Sequence, residues 1–259
     1  MRLFRIICAF LALTVFSAGA RAQYASADTL CAFRPTQLIA PAVLVGAGMG
    51  IHCFGHESID AAVRDWNLSK VNVGGAGPVY DFGTWVEYGI PAVHLGAGLL
   101  GAKSRHSFAD RALESAMSYF FCLSTGYLLK KAFGTLRPDG SDCKSFPSGH
   151  SMITFTGAEL MRLDYGPWWG AAFYGLACGT AAERIYADRH WLSDVLAGAG
   201  LGILSANVGS WLLEPIKSLL GIPDWSWDGL STSRPVQVAL APSADPLSGT
   251  PTANISILF

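Results

Sequence analysis

Three short stretches of this chain carry cations, histidines and a carboxylate at fixed spacing. Lys130 precedes Arg137-Pro138, Pro147-Ser148-Gly149-His150 follows, and Arg184 leads to His190 and Asp194. Lys130, Arg137 and Arg184 together could hold a group with several anionic oxygens and stabilise the charge of an in-line displacement. The backbone N–H groups near Ser148 and Gly149 would add a helix N-terminus, a natural anion site. Asp194 lies four residues after His190, so on one helix face it can accept the ring N–H and leave the other ring nitrogen as a nucleophile. His150 is placed to protonate a leaving alkoxide. The chemistry this set suits is phosphoryl transfer to His190. No carboxylate cluster of the kind that binds magnesium accompanies it, so neither a metal nor another cofactor is expected.

These groups must be brought together by the elements that carry them. The apolar segments near 37–54, 82–101, 111–131, 149–164, 168–183 and 191–214 read as helices. The Tyr165-Gly166-Pro167 turn sends 149–164 away from the motifs and 168–183 back toward them, so Pro147–His150 and Arg184 fall at one end. Gly198, Gly200 and Gly202 suit close helix contact in lipid. The expected fold is all-α: a membrane-embedded bundle of about six helices, with a cleavable signal peptide and a short C-terminal tail that carries the alternation of a β-hairpin.

The three stretches resemble the signature of the type 2 phosphatidic acid phosphatase and vanadium haloperoxidase superfamily, K-x6-R-P, P-S-G-H and S-R-x5-H-x3-D. Here they read Lys130-x6-Arg137-Pro138, Pro147-Ser148-Gly149-His150 and Glu183-Arg184-x5-His190-x3-Asp194. Three ordered motifs with correct internal spacing are far more specific than any one. The resemblance implies His190 as nucleophile, Asp194 as its partner, His150 as general acid, and Lys130, Arg137, Ser148, Gly149 and Arg184 as phosphate ligands. Glu183 departs from the usual Ser. The loop 139–146 is short, which leaves little material for a lid.

Composition bounds the class. Only 14% of the 259 residues are charged, against about 25% in a soluble domain, which points to a membrane or a deeply buried bundle. Net charge is −1, so no global field favours nucleic acid. Residues 1–22 read as a signal peptide: Arg2 and Arg5, an apolar run from Ile6 to Phe16, then Ala20-Arg21-Ala22. Residues 23–220 form the helical domain and 221–259 the tail. His52 and His56 share i, i+4 spacing near Cys53 and Glu57, but Gly55 is expected to break that helix.

The expected partners are a lipid phosphate substrate and membrane lipid, with no nucleic acid and no obligate protein partner. The expected address is the bacterial cell envelope, in the inner membrane with the site facing the periplasm. The competing readings are a soluble periplasmic acid phosphatase, a vanadium haloperoxidase, and a lipid-binding protein without catalysis. The sequence does not choose among phosphatidic acid, phosphatidylglycerophosphate, undecaprenyl pyrophosphate and a lipid A phosphate.

Overall fold

The computed structural model describes residues 33–70, 79–222, 237–244 and 251–258. The proposed signal peptide lies outside them. The chain divides into two compact units, Met1–Pro223 and Asp224–Phe259.

Six helices make up the described part of the first unit. The rod α1 begins with a 3-10 turn at Pro35–Leu38, continues as α-helix over Ile39–Gly50, widens to π-helix over Ile51–Asp60 and returns to α-helix over Ala61–Lys70. Five further helices follow: α2 (Val79–Leu99), α3 (Phe108–Phe133), α4 (Gly149–Tyr165), α5 (Pro167–Tyr186) and α6 (Leu192–Leu220). In the second unit, β1 (Gln237–Ala244) and β2 (Pro251–Leu258) pair antiparallel, in register from Gln237↔Leu258 to Ala244↔Pro251.

The sequence accounts for the helix ends. Ser107 caps α3 by accepting from the Asp110 N–H, Lys130 and Lys131 occupy its last turn, and Gly134 closes it at φ 56°. Cations there complement the helix dipole, and only a residue tolerant of positive φ stops the helix cleanly. Pro167 opens α5, where its missing N–H is harmless. Gly55 does not break α1, contrary to the sequence expectation. A helical glycine costs only about 1 kcal/mol, and the widened turn absorbs it: the Ala61 N–H reaches the His56 carbonyl, five residues back.

At the centre stands α4, with thirteen of its seventeen residues buried. It packs against α2, α3, α5 and α6. The closest approach is to α6: a Cβ added at Gly202 would lie 2.4 Å from the Met152 carbonyl oxygen, and one at Gly198 would lie 2.7 Å from that of Ser148. Small residues let the two backbones touch, as expected from the α6 glycines.

The polar groups of this bundle turn inward. Glu159 on α4 is held by Arg162 through two bonds of 2.6 and 2.7 Å, by the Tyr174 hydroxyl at 2.7 Å and by Asn207 at 2.9 Å. Meanwhile Phe54, Trp85, Tyr88, Phe120 and Tyr127 are exposed. Two helices, Pro35–Ser69 and Leu192–Leu220, are long and apolar enough to cross a membrane.

Candidate active site

α4 begins, α3 ends and α6 begins at the same pole of the bundle, and the three motif segments meet there. Trp191 and Ser193 flank the start of α6. The Asp194 carboxylate at its third position accepts the Trp191 N–H at 2.9 Å, so the same group that starts the helix also faces His190. His190 Nδ1 lies 3.4 Å from Asp194 Oδ2. Ser145 Oγ donates to the same Asp194 oxygen in a short contact and lies 3.5 Å from His190 Nδ1. On the opposite edge of the ring, Nε2 faces Arg137 Nη1 at 3.5 Å. The arrangement favours the tautomer with the proton on Nδ1 and a lone pair on Nε2, beside a guanidinium.

His190 sits in the loop between α5 and α6 and is almost fully buried. Burial lowers its pKa below the ordinary 6.5, with Asp194 opposing and Arg137 and Lys130 adding to the shift. The imidazole is therefore neutral at neutral pH, the form a nucleophile requires.

The cations are anchored to the loop that joins α3 to α4. Lys130 Nζ donates to the carbonyls of Lys144 and Pro147, at 2.7 and 2.6 Å. Arg137 Nε donates to Asp142 Oδ1 at 2.9 Å, and its Nη1 to the Arg189 carbonyl at 3.3 Å. That bond to Arg137 is the largest cause holding the Asp142 carboxyl below the usual carboxylate range. Arg184, at the end of α5, turns its Nε to Glu183 Oε2 at 2.7 Å, and its Nη2 makes a short contact with Oε1. Glu183, the departure from the family pattern, thus grips the neighbouring Arg184 fork and presses on α2. A Cβ at Gly83 would come within 2.4 Å of its carboxylate.

Gly149 opens α4 beside Lys130, whose Cε would be 4.0 Å from a Cβ at that glycine. Ser148 plays a different part from the one its sequence position suggests. Its side chain is fully buried, its hydroxyl caps α4, and its N–H donates to the Asp194 carbonyl at 3.0 Å. The helix-start N–H groups left without helical acceptors are those of Gly149 and His150.

His150 Nε2 lies 3.1 Å from Glu87 Oε2 on α2. Burial lowers the His150 pKa to about 4, and Arg184, His190, Arg137 and Lys130 add to the shift; the negative charge of a bound phosphate would oppose those cations and favour the protonated ring. All eight motif residues singled out from sequence thus collect at one pole.

Sequence reasoning missed Glu87 and Ser145. Glu87 is the one carboxylate in the apolar stretch 82–102, a signal of an inward-facing role. Asp188, in the same loop as His190, is buried and gripped by Arg64 through bonds of 3.0 and 2.9 Å. That pair ties α1 to the loop before His190. The π-helical stretch of α1 also supports the pole. Asp60 accepts from the Ser193 N–H and hydroxyl at 3.0 and 2.6 Å, and His52 stacks on Phe146 at 4.4 Å. His56 bonds Asp60 at 3.0 Å and makes no metal cluster with His52 among the described residues.

Residues 111–216 match the family model of the PAP2 superfamily. A lipid A 1-phosphatase of Porphyromonas gingivalis is 47% identical over 90 residues, covering 34% of this chain and 20% of that protein. An undecaprenyl-diphosphatase of Sulfolobus acidocaldarius is 35% identical over 88 residues, covering 32% of this chain and 41% of that protein. The chain thus spans less than half the length of these curated relatives. No solved structure matches it.

Proposed function

We propose that the chain, whose residues 111–216 match the PAP2 superfamily model, hydrolyses a lipid phosphate or pyrophosphate through a phosphohistidine on His190. One observation carries the reading: His190 is held by Asp194 on one ring edge and faces Arg137 on the other, at the pole where Lys130, Arg184 and His150 gather.

In the proposed reaction, Nε2 of His190 attacks phosphorus and forms an N–P bond as the bond to the lipid oxygen breaks. The imidazolium that forms is stabilised by Asp194. Arg137, Lys130 and Arg184, with the N–H groups of Gly149 and His150, neutralise the phosphoryl oxygens. His150 gives a proton to the leaving oxygen and takes one back from the water that cleaves the N–P bond. Glu87 orients the His150 ring. These groups supply the charge stabilisation that a divalent metal supplies elsewhere, so turnover needs no metal.

The substrate class rests on the two relatives, a lipid A 1-phosphatase and an undecaprenyl-diphosphatase, and on the apolar residues exposed on the helices. The site is proposed to face the periplasm, in the inner membrane of a bacterial envelope, behind a cleaved signal at 1–22. A soluble acid phosphatase with the same chemistry is disfavoured by exposed Phe54, Trp85 and Phe120.

The deciding experiment is phosphate release by the protein purified in detergent, tested on phosphatidic acid, phosphatidylglycerophosphate, undecaprenyl pyrophosphate and lipid A, with p-nitrophenyl phosphate as a soluble comparison. Release from one or more lipids, surviving EDTA and accompanied by an acid-labile phosphoprotein that is absent in His190→Ala, is expected. Activity confined to the soluble ester would overturn the lipid assignment, and a magnesium requirement would overturn the mechanism.

A further inference from the structure

The opposite end of the helical unit holds a second set of ionisable groups that phosphate chemistry does not use. His94 comes from α2, His106 from the loop between α2 and α3, Glu114 from α3, and Asp164 from the last turn of α4. Along α4 the set lies roughly 21 Å from His150, at 1.5 Å per residue. His94, Glu114 and Asp164 are buried to 1% exposure or less, whereas the His106 side chain keeps 11%.

Their geometry is specific. One ligand atom each from His106, Glu114 and Asp164 lies within 4.8 Å of the others. His106 Nδ1 is 2.7 Å from Asp164 Oδ1 and 3.5 Å from Glu114 Oε2. His94 bonds the other Asp164 oxygen through Nε2 at 2.6 Å, and its Nδ1 meets Ser115 Oγ at 3.0 Å. Among the described residues neither oxygen of the fully buried Glu114 accepts a hydrogen bond of normal geometry, and its one ion-pair contact is His106 Nδ1 at 3.5 Å. The nearby Arg111 guanidinium is directed elsewhere, to Ser104, to the His106 and Leu95 carbonyls and over the Tyr165 ring.

Burial raises the Glu114 pKa and favours its protonated form; the carboxylate form loses several kcal/mol of hydration, which a bound cation would offset. Here the missing partner is flanked by an imidazole nitrogen and a second carboxylate oxygen. That second carboxylate is oriented by a histidine N–H from behind, the arrangement that commonly steadies metal ligands. A mixed nitrogen and oxygen set of this size suits a first-row transition ion better than magnesium, which prefers oxygen alone. Of the three donors, only the His106 side chain keeps any appreciable exposure, at 11%.

We propose that His106 Nδ1, Glu114 and Asp164 Oδ1 bind one divalent transition-metal ion of the Zn2+ type, which clamps the α2–α3 loop and α3 onto the end of α4. On binding, His106 coordinates through Nδ1 as the neutral ring with its proton on Nε2, any further proton on His106 and the one that burial favours on Glu114 leave to solvent, and three metal–ligand bonds replace the His106–Asp164 hydrogen bond. The clamp is structural and stands apart from the phosphate site. The sequence reading missed these donors because they are scattered over 58 positions.

The test uses the full chain, purified in detergent without a histidine tag, stripped with chelator and dialysed. Zn2+ is then titrated by calorimetry, retained metal is measured by mass spectrometry, and Tm is followed with and without the ion. The wild type is expected to retain one equivalent of Zn2+ and to gain Tm on its addition, with no such gain from Mg2+. Glu114→Gln should bind at least tenfold more weakly and lose the Tm gain, while its phosphate release below Tm stays unchanged. His106→Gln is the second variant if the first fails to fold. Co2+ should give visible absorption bands in the wild type. A wild type that retains no Zn2+ and shows no Co2+ bands overturns the site, as does unaltered binding in a folded variant. Because metal content is the readout, the result is independent of whether the phosphatase reading holds.

Discussion

At the residue scale, the two ring edges of His190 define what each neighbour should do when removed. Replacing His190 with Ala removes the nucleophile itself and should lower kcat by on the order of 10^4-fold or more, with lipid binding and the folded state preserved by circular dichroism. Glu87 pairs with His150 at 3.1 Å, so Glu87→Gln should lower kcat by roughly tenfold, the scale of one hydrogen bond to an ionised group. KM should move less than kcat, because Glu87 holds the His150 ring rather than the phosphate; a raised KM with unchanged kcat would place it among the substrate ligands instead. The pH profile follows from burial. His190 acts as the neutral base, and its folded pKa lies below 6.5. Lowering the pH through 6.5 therefore leaves the nucleophile unprotonated, and kcat/KM should fall only at more acidic pH. An acid limb centred at or above 6.5 that belongs to His190 would contradict the buried environment. The motif residues were legible because their spacing encodes the chemistry directly. Glu87 was not, since it meets His150 across 63 positions of chain and only the packing of α2 on α4 brings them together.

Elements carry these groups, and the contact of α6 with α4 sets how closely they approach. At Gly202 a methyl group would meet the Met152 carbonyl at 2.4 Å and the Thr156 nitrogen at 3.0 Å, both on the backbone of α4. Neither can yield without moving a helix, so Gly202→Ala should destabilise the protein by about 1–3 kcal/mol, read as a lower Tm in detergent. Gly89 on α2 is the control: nothing lies within 4 Å of its added Cβ, so Gly89→Ala should stabilise by about 0.5–1 kcal/mol through helix propensity alone. Equal behaviour of the two variants would mean that the α4–α6 contact is not tight. The helices themselves were readable from apolar runs and turn residues, and the Tyr165-Gly166-Pro167 turn correctly returned Arg184 to the pole of His150. The continuation of α1 through Gly55 to Lys70 was not. A glycine weighs against a helix locally, but burying Asp60 on Ser193 and pairing Arg64 with Asp188 are long-range contacts that no local pattern announces.

For the whole molecule, the low charge content pointed to a membrane or a deeply buried bundle, and the described helices bury Glu114, Glu159 and Asp164 while leaving Phe54, Trp85 and Phe120 exposed. Composition did not settle which way the bundle faces. With a cleaved signal and six spanning helices, counting puts the motif pole in the cytoplasm. The positive-inside rule, applied to the loop that holds Lys103 and Arg105, puts it outside. The structure adds a reporter: Cys143 is exposed in the loop that carries Arg137 and Pro147, at the pole of His190. A variant that keeps Cys143 as its sole cysteine, made by replacing Cys8, Cys31, Cys53, Cys122 and Cys178 with Ser or Ala, can be expressed in a bacterial host and treated as intact spheroplasts with a membrane-impermeant maleimide. A periplasm-facing site labels without lysis, because the thiol then stands in the outer aqueous phase with no bilayer to cross. A cytoplasmic site labels only after the membrane is opened. Labelling only after lysis would reverse the proposed orientation while leaving the chemistry of the pole untouched, since the phosphate cradle is built from groups that pack together whichever face of the bilayer they meet.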